Sequence, residues 1–105
     1  MRRLGYARLA RENRFRPGAD AHVRNGSFAS TNFGNANQLQ VKQASGNYAR
    51  ESYLRFDLSN VSAVNSAKLR LFGKLDNTSA ASAGFTIYNA SNTTWSETGL
   101  TWNSK

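Results

Sequence analysis

The chain has no cysteine, which excludes a disulfide framework, a thiol nucleophile and a cysteine-ligated zinc site. It has one histidine, His22. A nucleophile–His–acid relay needs an imidazole between two partners, and a zinc site needs several soft ligands, so one His supports neither. Acidic residues are few and stand singly: Glu12, Asp20, Glu51, Asp57, Asp76 and Glu97. None falls in an Asp-x-Asp-x-Asp-Gly calcium loop. No apolar run approaches the roughly 20 residues that span a bilayer. The N-terminus lacks the apolar stretch of a secretory signal. Walker and G-x-G-x-x-G loops are absent, as are internal repeats.

What is present is Ser, Thr, Asn and Gly, with aromatics at 11% and little Leu, Val or Ile. This mixture suits short strands joined by polar turns. The length of 105 residues allows one domain. The net charge of +8 is uneven, because residues 1–18 carry six arginines against Glu12 alone. A basic arm can bind nucleic acid or an anionic surface. The plainer expectation is a disordered or non-native leader, with nucleic-acid and membrane binding set aside. Pro17-Gly18 breaks the chain direction, and the domain boundary is placed there, leaving 19–105 as the folded body.

Period-two alternation predicts antiparallel strands near 20–24, 38–43, 50–58, 67–74 and 84–88. It predicts burial of Leu39, Val41, Leu54, Phe56, Leu58, Leu69, Leu71, Phe85 and Ile87. Tyr53, Arg55 and Asp57 fall on the opposite face of the 50–58 segment. Asn25-Gly26 is a turn, because both residues tolerate positive φ. Glu97-Thr98-Gly99 is a second bend, flanked by Trp95 and Trp102. Their placement fits core packing better than sugar stacking. His22 reads as a strand residue near the surface. Short strands separated by turns every ten to fifteen residues or so indicate an all-β protein.

Several stretches occur in order. They are Ala19-Asp20-Ala21-His22-Val23-Arg24, Thr31-Asn32-Phe33-Gly34, Leu39-Gln40-Val41-Lys42 and Glu51-Ser52-Tyr53-Leu54-Arg55-Phe56-Asp57-Leu58. Ser66-Ala67-Lys68-Leu69-Arg70-Leu71, Thr94-Trp95-Ser96-Glu97 and Leu100-Thr101-Trp102-Asn103 follow. This series resembles the DNRLRE, or disaggregatase-related, domain, a group that includes carbohydrate-binding module family 96. The resemblance implies an antiparallel β-sandwich of jelly-roll type in an extracellular bacterial or archaeal protein, secreted or at the cell surface. It implies a non-catalytic module for an acidic polysaccharide such as alginate, attached to catalytic or surface domains. Family domains continue past the Thr-Trp-Asn stretch, so the sandwich is expected to be incomplete and the isolated chain marginally stable.

The outward positions of the expected strands collect Lys42, Arg55, Lys68, Arg70 and Lys74, with Arg24 and Arg50 at strand ends. Arg grips a carboxylate through two parallel hydrogen bonds, and Lys acts as a point charge. The family pattern matches best at Arg24, Lys42 and Arg50, and Tyr48 offers a flat ring for a sugar. These four are the expected ligand-binding residues. Alternating cations also solvate the outer face of a sheet, and Lys blunts strand edges. The competing function is therefore a structural spacer that binds nothing. The discriminator is whether Arg24, Lys42 and Arg50 share one exposed face beside an aromatic. No cofactor is expected. A structural calcium ion would draw on Asp20, Asn25, Asp57 and backbone carbonyls, and its presence is left open.

Overall fold

The computed structural model describes residues 6–9, 14–76, 79 and 81–105. The strands are β1 (Tyr6–Leu9), β2 (Arg14–Phe15), β3 (Ala19–Arg24), β4 (Arg50–Arg55) and β5 (Ala67–Arg70). Two 3₁₀ turns, Gly26–Phe28 and Trp102–Ser104, are the only helical elements among the described residues. The protein is all-β. Among the described residues all pairings are antiparallel and build two small sheets, β2-β1-β5 and β3-β4. The five strands among the described residues are fewer than the eight of a jelly roll. Two of them, β1 and β2, fall in the expected leader, and β1 pairs along its whole length with β5.

β3 carries the core. Ala19, Asp20, Ala21, His22 and Val23 are all buried, so both faces of this strand are covered. Ala21 and Val23 pack with Leu100, and Tyr53, Trp95 and Trp102 close around them. On the other face Phe33 stacks on the His22 ring, with centroids 4.7 Å apart. The β3-β4 ribbon is thus sandwiched between the 25–42 loop and the 95–104 segment. His22 is buried, not near the surface as expected. The Phe33 ring covers it on that side.

The two coverings are tied to each other. Asn32 Nδ2 donates to Glu97 O at 2.9 Å and to Leu100 O at 2.8 Å. Its Oδ1 accepts from Gly34 N at 2.9 Å. A side chain at Gly34 would run into the Glu97 carbonyl, so the glycine permits this approach. Asn103 N donates to Ala29 O at 3.0 Å, joining the same loops again. Glu97 Oε1 accepts from Asp20 N at 3.0 Å and caps the free edge of β3. The 97–99 bend occurs as expected, closed by Leu100 N on Ser96 O at 3.0 Å.

Several expected strands do not form. Residues 38–43 contribute a single bridge, Lys42 to Arg50, and 84–88 form no strand. β4 stops at Arg55 and β5 at Arg70. Beyond β4, Asp57 Oδ1 accepts from Ser59 N at 2.9 Å and turns the chain. Val41, Leu58, Leu69, Leu71, Phe85 and Ile87 are exposed, not buried, and Leu39, Leu54 and Phe56 are half-buried. Alternation marks which residues a strand could bury, but pairing needs a neighbouring strand. None lies beside 84–88 among the described residues. The inward face of β4 is also the reverse of the expected one. Tyr53 meets the core because β3 presents its small residues, Ala19, Ala21 and Val23, on that side.

Candidate functional site

The β3-β4 register ends on the pair Arg24↔Arg50. Arg50 pairs on its other side with Lys42. Lys42 N donates to Arg50 O at 3.0 Å, and Arg50 N to Lys42 O at 2.9 Å. The Arg50 backbone groups therefore point away from Arg24. Arg24↔Arg50 is the non-hydrogen-bonded kind of pair, in which Cα atoms approach to roughly 4.5 Å and side chains are closest. Residues directly opposite on antiparallel strands project to one face. Arg24, Arg50 and Lys42 consequently form a row across the strands. Like charges directly opposite destabilise a sheet, so the fold tolerates a cost here.

Each cation in the row rests on an uncharged partner. The Arg24 guanidinium lies 4.1 Å over the Phe28 ring and 5.6 Å from that of Phe33. Arg50 Nη1 donates to Gln40 Oε1 at 2.7 Å, while its buried Nε has no hydrogen-bond partner among the described residues. Lys42 Nζ sits 5.5 Å from the Tyr48 ring, which is exposed. None of the three is paired with a carboxylate among the described residues. Glu51, next to Arg50 in sequence, projects to the opposite face. There it accepts from Lys105 Nζ at 2.7 Å and from Tyr53 Oη at 2.9 Å. Burial pushes the Tyr53 phenol up to about 12, and its hydrogen bond to Glu51 and that carboxylate's charge add to the rise.

The turn beyond the row is fastened by Asn25. Its Oδ1 accepts from Ala49 N at 2.9 Å, and its Nδ2 donates to Gly46 O at 3.1 Å. Gly26 adopts φ 68°, as the Asn-Gly signal implies. This clasp holds the loop that carries Tyr48.

The four expected residues, Arg24, Lys42, Arg50 and Tyr48, are thus brought together. The other cations are not. Arg55 lies on the opposite face, where Nη1 donates to Thr93 O at 2.9 Å and Trp95 O at 2.6 Å. Lys68 and Arg70 belong to the other sheet, and Lys74 lies past its end. Trp95 and Trp102 are half-buried against the core. The alternation did not reveal Phe28, Phe33 and Gln40 as supports of the row. Gln40 carried a signal: it lies two residues before Lys42, and so on the same face of an extended segment.

A shallow depression of about 210 Å³ lies elsewhere, between Asn92, Trp95, Ser96, Gly99, Leu100 and Ser104, and no titratable side chain lines it. The oxygens considered for calcium are not gathered. Asp20 is the second residue of β3 and Asn25 follows the strand's end, roughly 16 Å away along an extended chain. The Asn25 amide is already committed to Ala49 and Gly46. Among the described residues no group of three acidic or His side chains could hold a metal, and no helix is long and apolar enough to cross a membrane.

The model of one protein family, carbohydrate-binding module family 96, matches residues 11–105. No curated protein and no solved structure matches.

Proposed function

The chain belongs to carbohydrate-binding module family 96, and we propose that its ligand is an acidic polysaccharide of the alginate-like polyuronate class, bound without catalysis. The observation that carries this reading is the row Arg24–Arg50–Lys42, three cations on one face with no carboxylate partner among the described residues and Tyr48 beside them. A polyuronate brings one carboxylate per sugar. Each can accept the two parallel hydrogen bonds that a guanidinium offers. The Tyr48 ring offers a flat surface for an adjacent sugar. Such a row favours binding over the spacer reading, since an idle sheet face has no reason to set two arginines directly opposite each other in register.

In the same proposal the module is extracellular and holds attached catalytic or surface domains on the polymer. It raises their local substrate concentration through tethering. The jelly-roll sandwich belongs to this reading too, with the two antiparallel sheets as parts of it. Calorimetry with alginate and with a neutral dextran, at low and high salt, tests it. Alginate binding at about 0.01 M salt should fade towards 1 M, where the Debye length falls from about 30 Å to about 3 Å. Dextran should not bind. Equal affinity for both polymers, or no alginate binding at low salt, would remove the acidic ligand from the account.

A further inference from the structure

We propose that Gln40 is a positioning residue of this site: its amide oxygen fixes the Arg50 guanidinium without neutralising it. The inference rests on the acidic-polysaccharide reading above. Gln40 precedes Lys42 by two residues, and Lys42 pairs with Arg50. It therefore stands diagonally across from Arg50 on the same face, within reach of a long side chain. Its backbone is anchored, because Ser52 Oγ donates to Gln40 O at 2.7 Å. Its side chain accepts from Arg50 Nη1 at 2.7 Å. A single acceptor at that distance restrains the plane of the guanidinium and leaves the remaining Nη N–H groups for a ligand. The buried Arg50 Nε has no partner among the described residues, so the Gln40 contact is the side-chain hydrogen bond that holds this guanidinium.

The chemical identity of the acceptor matters. A carboxylate at position 40 would hold the guanidinium as firmly but cancel its charge, and the row would present two net cations in place of three. The amide gives the geometry and keeps the charge. The other two members follow the same rule, with Arg24 on Phe28 and Lys42 beside Tyr48.

The test uses the full chain and alginate, with affinity and thermal stability read together. Gln40→Glu should weaken binding roughly tenfold while the midpoint of unfolding stays or rises, because the new ion pair replaces a neutral contact. Gln40→Met removes the acceptor and should weaken binding by several-fold in the parent and not at all in an Arg50→Ala background. A residue that merely supported the fold would lower stability and affinity together in both backgrounds. The proposal is overturned if Gln40→Glu binds as well as the parent, or if Gln40→Met costs the same with and without Arg50. Failure of the parent itself to bind alginate overturns the ligand reading, and this inference with it.

Discussion

Replacing Gly34 by Ala puts the packing account under its strongest test. The added methyl would fall on the Glu97 carbonyl, with Glu97 C at 2.8 Å and Asn32 Oδ1 at 2.9 Å. The obstacle is backbone, so no rotamer change relieves it. The 31–34 loop and the 96–100 bend must separate. Asn32 then loses its bonds to Glu97 O and Leu100 O, at 2.9 and 2.8 Å. Two such bonds contribute about 1 kcal/mol each, and forcing an atom into a packed site costs about 1–3 kcal/mol more. Restricting the unfolded chain offsets about 0.4–1 kcal/mol. The net loss is about 3 kcal/mol, a large share of the roughly 5–15 kcal/mol that holds a domain together. Gly46 is the control. It has φ 70°, and a methyl added there would find nothing within 4 Å, so Ala meets only the left-handed backbone penalty of about 1–2 kcal/mol. Urea denaturation followed by tryptophan fluorescence reads both variants, since Trp95 and Trp102 pack on the core beside Leu100. If Gly34→Ala costs no more than Gly46→Ala, the Asn32–Gly34–Glu97 clamp does not hold the two coverings of β3 together.

Two further outcomes follow from the geometry. The Tyr53 phenol titrates near 12 in the folded chain against 10.0 ordinarily, so the fold favours its protonated form. Its contribution is intact below pH 10 and is lost as pH rises towards about 12; melting temperatures of Tyr53→Phe should fall less over that range than the parent's, and parallel curves would contradict the burial of this hydroxyl beside Glu51. Asn25→Ala removes the bonds to Ala49 N and Gly46 O, and should cost about 1–2 kcal/mol in denaturant while weakening alginate binding through the loop that carries Tyr48. Unchanged affinity alongside the lost stability would place Tyr48 outside the site.

The sequence was most legible where a signal is local. Ala19–Arg24 and Arg50–Arg55 alternate and do form strands, and Asn25-Gly26 turns with Gly26 at positive φ. Arg24, Lys42 and Arg50, which the family resemblance marks, lie in one row. Long-range choices were not legible. Nothing within residues 50–58 says whether Leu54 or Tyr53 meets the core. That is decided by Ala21 and Val23 of β3 and by Leu100, nearly fifty residues downstream of Tyr53. Phe85 and Ile87 alternate as well as any strand residue, yet remain exposed because no partner strand lies beside them among the described residues. His22 looked like a surface residue because its cover, Phe33, arrives from a polar loop without periodicity.

The central claim is that Arg24, Arg50 and Lys42 form one anion-binding row. The most direct test is the affinity of the Arg24→Ala, Lys42→Ala, Arg50→Ala triple variant for alginate at low salt. The basic segment 1–18 is left in place, so a general attraction from its six arginines persists in both proteins. Charge-assisted hydrogen bonds contribute about 1.5–3 kcal/mol each, so losing the row should weaken binding by at least a hundredfold, with the β-sheet circular dichroism unchanged. A folded triple variant that binds alginate as tightly as the parent would contradict the claim.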